Sequence, residues 1–339
     1  MKCRVLFGLA MVFCGGLLAQ ATLASPPAWL DDPQSLYPAT MYLSALGEGD
    51  TRKDAETEAT ANLSRIFESK VSVDENVQAR VYELEQGGST TSSTETELQR
   101  SIGVQSNQTL VNVQMGESYL DSRGRYHVIA FIERLKTGEI YAGKVEENSK
   151  MVVFWLDKGK KATDPIAVYA YRNAAAMMTR VNDVLISQLA VISPESREFV
   201  ELPYDPVKVR SDAADAARAL TVSVTLTGDD DGKLAEIVRG ALAEQGFAVS
   251  EKNVLAISGE VGFENVDIKN PQGTKFLRWT LSMDMKNISN VTLFSIYEKG
   301  REGHVNIDEA KARCYRTMES KIKSEFIRKL NGYFDSFVK

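Results

Sequence analysis

Apolar positions recur along this chain with alternating, helical and unbroken spacings, and each spacing predicts its own element. A short strand-like run at residues 41–46 leads into Gly47 and Gly49. A helix is predicted after it, over about residues 52–68, where Ala55, Ala59, Leu63 and Ile66 fall on one face. Small residues keep that stripe narrow, so the helix can lie close on a sheet. Val71, Val73, Val77 and Val81 open a β-rich section. It is interrupted at residues 87–97 by GGSTTSSTETE, a polar stretch that reads as a loop at the tip of a long hairpin. Residues 109–135 then read as two strands joined by a turn at 121–125, with Gly124 placed for a positive φ.

Alternation stops after residue 135. Helical patterns occupy about residues 136–158 and 165–192, the second with a broad face that includes Ala170, Met178, Val181, Leu185 and Leu189. Pro194, Pro203 and Pro206 follow without regular apolar spacing, which predicts a linker. A second strand-and-helix unit begins near Leu220 and closes on a long helix. Its stripe is Ala310, Cys314, Met318, Ile322, Phe326 and Leu330, and Asn306 with Glu309 makes a capping-box arrangement at its start. The expected fold is α+β, with two helix-on-antiparallel-sheet domains separated by a helical hairpin. The corresponding segments are 25–135, 136–192 (hairpin), 193–212 (linker) and 213–339. Asp54-Ala55 and Glu309-Ala310 open the main helices of the two units alike, a faint sign of duplication.

The N-terminus changes the picture most. Lys2 and Arg4 precede an apolar stretch at residues 5–18 and small residues up to Ala24, the layout of a secretory signal over residues 1–24 cleaved after Ala21 or Ala24. Two alternatives stay open, a membrane anchor and lipidation of Cys14, although Phe13 stands where a lipoprotein signal carries a small residue. No later segment reads as long and apolar enough to span a bilayer, so a soluble or peripheral protein is expected. Loss of the signal leaves Cys314 as the single cysteine and takes the formal charge from −6 to −8. That excludes an internal disulfide framework, and an acidic chain without a basic cluster argues against nucleic acid. About 315 residues remain, enough for two ordinary domains.

Candidate chemistry is sparse. Gly47 and Gly49 resemble the start of a phosphate-cradling loop, but Arg52 stands where a third glycine is needed, and Glu48 and Asp50 oppose an anion. They read instead as a sharp exit from a strand, with Asp50 or Thr51 as the helix cap. GDDDGK at residues 228–233 lacks the alternate spacing of a calcium loop and reads as a turn. The two histidines, His127 and His304, fall in different units. His127 reads as a structural residue on a strand face with Ile129 and Phe131, and His304 as a surface group beside a helix cap. Cys314 lies within an apolar stripe and reads as a buried structural thiol. Trp155 and Trp279 read as core residues, with the lining of a cleft as the alternative. No catalytic, cofactor-binding or metal-binding residue is selected, and no cofactor is expected.

The sequence PPAWL at residues 26–30, followed by YLSALGEG and the alanine-spaced helix DAETEATANLSRIFESKV, resembles the outer-membrane lipoprotein family of the LPP-twenty type and related envelope and flagellar accessory domains. The resemblance covers about residues 26–135. It implies an α+β envelope module without catalysis. The expected function is therefore a noncatalytic periplasmic or outer-membrane-associated protein that works through contacts with other envelope proteins, with self-association left open. Its expected contact regions are the 87–97 loop and the exposed sheet edges. The competing expectation is a ligand-binding protein or enzyme that acts on an envelope component through a cleft between the domains.

Overall fold

The computed structural model describes residues 26–68, 110–267 and 273–338. The expected signal at 1–24 and the loop at 87–97 lie outside them. After a short helix α1 (Ala28–Asp31), strand β1 (Tyr42–Gly49) runs into helix α2 (Arg52–Glu68). Strands β2 (Gln114–Leu120) and β3 (Tyr126–Glu133) complete an antiparallel sheet in the order β1-β3-β2. Tyr42 faces Glu133 and Gly49 faces Tyr126, so Leu43, Ala45 and Gly47 share one face with Ile132, Ala130 and Val128. Helix α2 covers that face with Ala55, Ala59, Leu63 and Phe67, all buried. The expected stripe ends one residue later than the spacing suggested, because Phe67 turns inward and Ile66 is 36% exposed.

The glycine pair is not a turn. Both residues lie within β1, and Thr51 caps α2 by accepting from the Asp54 amide at 3.2 Å. A Cβ on Gly47 would meet the backbone of Ala55 and Ala59, and one on Gly49 would stand 2.6 Å from the Ala55 nitrogen. Missing side chains therefore let α2 rest on the strand backbone. On the opposite face the N-terminal segment packs down. Trp29 is buried and donates from its indole to Glu117 at 2.8 Å, and the Tyr37 ring lies 4.6 Å from that of Phe131.

Two long helices follow, α3 (Arg134–Lys161) and α4 (Pro165–Ile192), paired as a hairpin. A buried polar seam sets their register. Asn148 donates to Asn182 at 3.0 Å, and the Asn182 amide stands 2.9 Å from the Tyr204 hydroxyl and 3.1 Å from Ser149. Arg134 closes the far end, reaching Ala39 and Tyr42 carbonyls on one side and Val191 and Ile192 on the other, between 2.7 and 3.2 Å. The last two belong to the carbonyl-rich end of α4, where a cation is favoured.

The expected linker is mostly helical. Helices α5 (Pro194–Glu198) and α6 (Pro206–Ala219) fill it, so the expected start of the second unit at 213 falls inside α6. Pro194 and Pro206 occupy first helical positions behind the capping side chains Ser193 and Asp205. Proline is compatible with helix there, since its missing N–H has no intrahelical partner to lose.

The second sheet contains β4 (Val222–Thr227), β5 (Leu255–Val266), β6 (Lys275–Asn287) and β7 (Thr292–His304), in that order. Helix α7 (Lys233–Glu244) crosses from β4 to β5, which pair in parallel, and adds a βαβ unit to the expected antiparallel arrangement. Helices α8 (Ile307–Lys321) and α9 (Ile327–Asp335) cover one face. Their apolar residues recur every four positions, wider than the 3.6 of an α-helix. A π-helical turn at Ile322–Phe326 absorbs the excess and keeps Leu330 buried with Ala310. Asn306 caps α8 as expected, accepting from Asp308 at 2.8 Å. Glu309 does not close the box. It pairs with Arg316, and the Asn306 amide donates to His304 Nδ1 at 3.1 Å.

The architecture is α+β, and the hairpin stands between the sheets in sequence while packing into both cores. Ile166, Tyr169 and Ala170 of α4 belong to the second core, whereas Ala175 through Ile192 serve the first. Helix α6 divides likewise, with Val209 and Ala213 in the first core and Ala216 and Ala217 in the second. Among the described residues α4 is the one helix with the length and hydropathy to cross a membrane, contrary to the expectation that no later segment has them. Its apolar positions are those the two cores require.

One substitution tests the helix-on-strand contact, and a second, on α3, is its control. Gly47→Ala should lower stability by about 3 kcal/mol, the upper range for overpacking a tight contact. Gly143→Ala, where an added Cβ meets nothing within 4 Å, should raise it by about 0.5–1 kcal/mol. Denaturant midpoints of the two variants against the parent check both signs.

Candidate functional site

The residues singled out for chemistry are held by structural partners. His127 Nε2 lies 3.3 Å from Asp121 Oδ2 at the β2–β3 turn. The Asp121 carboxyl is pulled below its ordinary value first by the Arg125 amide, then by His127 and the Arg123 amide. Beside it Arg125 pairs with Glu48 at 2.7 Å. This cluster fastens a turn and offers no nucleophile. Cys314 is fully buried, its sulfur 3.9 Å from the Leu277 carbonyl, and burial with the nearby Glu302 charge pushes its thiol up to about 11.

The 228–233 segment sits at the start of α7, where a phosphate-binding loop would stand in a βαβ unit. Its own acid occupies that place. Asp229 accepts from the Leu234 and Ala235 amides at 3.1 and 2.9 Å, and Asp231 pairs with Lys311 at 3.0 Å. Gly228 and Gly232 take positive φ of 74° and 67°, as a turn of this shape requires. Burial, followed by the negative field of Asp229 and Asp231, pushes the neighbouring Tyr315 phenol up to about 12. Among the described residues no group of three or more His, Cys, Asp or Glu could hold a metal ion.

Trp155 and Trp279 are core residues. Each is 1% exposed, the first in the first core and the second in the other, with the Trp279 ring lying over Gly300.

A cleft does form between the two cores. Helix α4 contributes Asn173, Met177 and Arg180, and α6 contributes Arg210 and Ala214. The end of α7 at Glu244 and Asn331 of α9 close it around a cavity of about 320 Å³, the low end of the volumes that small ligands occupy. Tyr169 lines it, held from behind by Phe247 at 5.1 Å and Phe334 at 4.6 Å between ring centroids. Arg210 pairs with Asp183 at 2.6 Å, and Glu244 with Lys323 at 3.3 Å. Arg180 and Asn173 have no hydrogen-bond or ion-pair partner among the described residues. Spacing along the chain did not reveal this group, since Arg180 and Arg210 lie on different helices. The available signal was the spacing of Asn173 and Arg180, two polar residues seven apart and so on one face of α4.

No protein-family profile and no curated protein matches the chain. Among solved structures, a secreted protein of Helicobacter pylori is 12% identical over 84% of this chain and 96% of its own, with a TM-score of 0.42. A minor lipoprotein of Acinetobacter baumannii is 15% identical over 35% of this chain and 90% of its own, with a TM-score of 0.23. Both scores are too low to establish a shared fold.

Two measurements follow from the side-chain environments. In the native protein Cys314 should resist iodoacetamide at about pH 8 and react fully once unfolded, because a raised thiol pKa leaves little thiolate. A carboxyl with a lowered folded-state pKa contributes stability that is complete above its unfolded value, here about 3.8, and is lost as pH falls through the folded value. Asp121→Asn should therefore flatten the acid limb of stability below about pH 4, with little change in slope near neutrality.

Proposed function

We propose that this chain is an exported bacterial envelope protein that acts without catalysis, through contacts with other envelope proteins. The observation that carries the reading is the outer strand β7. Its 13 residues pair only with β6 among the described residues. At the β6–β7 tip Ile288 is 80% exposed and Val291 56%, and Tyr297 further along β7 is 64% exposed. Lys329 and Arg313 donate to the Ser295 and Gly303 carbonyls of β7; the rest of its outer edge can take a partner's strand, and Glu298, Lys299 and Arg301 restrict which partner fits.

Three features support the compartment and class. The N-terminus has the pattern of an export signal, and the single remaining cysteine agrees with a disulfide-free periplasmic protein. The reading also draws on the resemblance to the LPP-twenty type, whose PPAWL-like start is here residues 26–30, with Trp29 bonded to Glu117 of the first sheet. Peripheral association with the outer membrane belongs to the same reading.

A photoreactive amino acid at position 297, activated in cells with analysis of the envelope fraction, tests it. A discrete protein adduct is expected, and the double substitution Ile288→Lys, Val291→Lys should abolish it without lowering the melting temperature. No adduct from a correctly folded protein would overturn the reading. An adduct between two copies of the chain would replace the envelope partner by self-association.

A further inference from the structure

We infer that the cleft between the two cores is a binding site for a small oxyanionic molecule, one whose carboxylate or phosphate group is held by Arg180. The inference stands apart from the strand-contact reading and survives its failure. Four observations carry it. The cavity has the volume of a small-molecule site, about 320 Å³, and lies at a junction between two cores, where such sites concentrate. Its walls are kept open by small residues, Ala176, Ala213, Ala214 and Gly246. Arg180 is half-buried in the wall and makes no ion pair among the described residues, although Arg210 and Lys323 nearby do. Asn173 offers a second unused donor on the same face of α4, seven residues away.

A guanidinium held in a partly desolvated wall gains from a planar or tetrahedral oxyanion, which it can meet with two parallel N–H donors. Arg210 lies beside it with its charge matched by Asp183, so Arg180 carries the unmatched charge of the wall. Glu244 lies at the rim, exposed and paired with a Lys323 that Glu319 shares, so it is solvent and salt that weaken its opposition to an anion. The Tyr169 ring and Met177 supply apolar surface for the body of the ligand.

Arginine side-chain NMR on the full chain, labelled with ¹⁵N-arginine, reads the site directly. Inorganic phosphate and succinate are titrated separately at constant ionic strength. The Arg180 Nε resonance, assigned by its loss in Arg180→Gln, should move in a saturable way with at least one probe. Ala214→Leu keeps both arginines, adds bulk at an exposed helix position of the rim, and should weaken binding at least tenfold. A response to phosphate alone assigns a phosphate ester, and one to succinate alone assigns a carboxylate. No saturable shift with either probe would overturn the inference, as would an unchanged affinity in Ala214→Leu, which would place the anion on the outer surface.

Discussion

The rest of the structure depends on the burial of α4 along its whole length. At about 1.5 Å per residue its 28 residues span about 42 Å, farther than one small core extends. Its first turns therefore enter one core and its later turns the other. Tyr169 locks the first end against Phe247 and Phe334, while Leu185, Leu189 and Ile192 fill the second. Displacing this helix would expose apolar surface in both units at once, so the two sheets are coupled through it. The Asn148–Asn182 seam adds direction, because a slip of α3 along α4 would leave several buried amides and hydroxyls unpaired.

Close approach is the second constraint. The first sheet accepts α2 only because Gly47 and Gly49 present bare backbone to Ala55 and Ala59. The second accepts the Trp279 ring only because Gly300 lies across from it. Both contacts bring an element against the strand where any side chain would collide, so these glycines act through the space they leave empty.

The same economy governs the charged groups. Asp229 satisfies a helix N-terminus, Asp121 a turn, and Arg134 the carbonyls at the end of α4. The cleft departs from this pattern, since Arg180 faces it without a hydrogen-bond or ion-pair partner among the described residues. A cation left unmatched in a wall where its neighbours are matched leaves room for an anion from outside the chain.

Local pattern was enough to determine most elements of this protein. The alanine stripe of α2, the two hairpin helices, the cap at Asn306 and the buried setting of Cys314 all follow from spacing and short-range hydrogen bonding, whereas Thr51 over Asp50 as the cap of α2 was decided by the structure. Tertiary structure alone decided what those elements meet. Proline marks helix starts as well as linkers, so only the caps at Ser193 and Asp205, together with the packing of α6 on both cores, distinguish the two. Gly47 and Gly49 carry no trace in the chain of the helix that lies on them. The cleft joins residues from α4, α6, α7 and α9, and no local spacing encodes a distance set by how four helices pack.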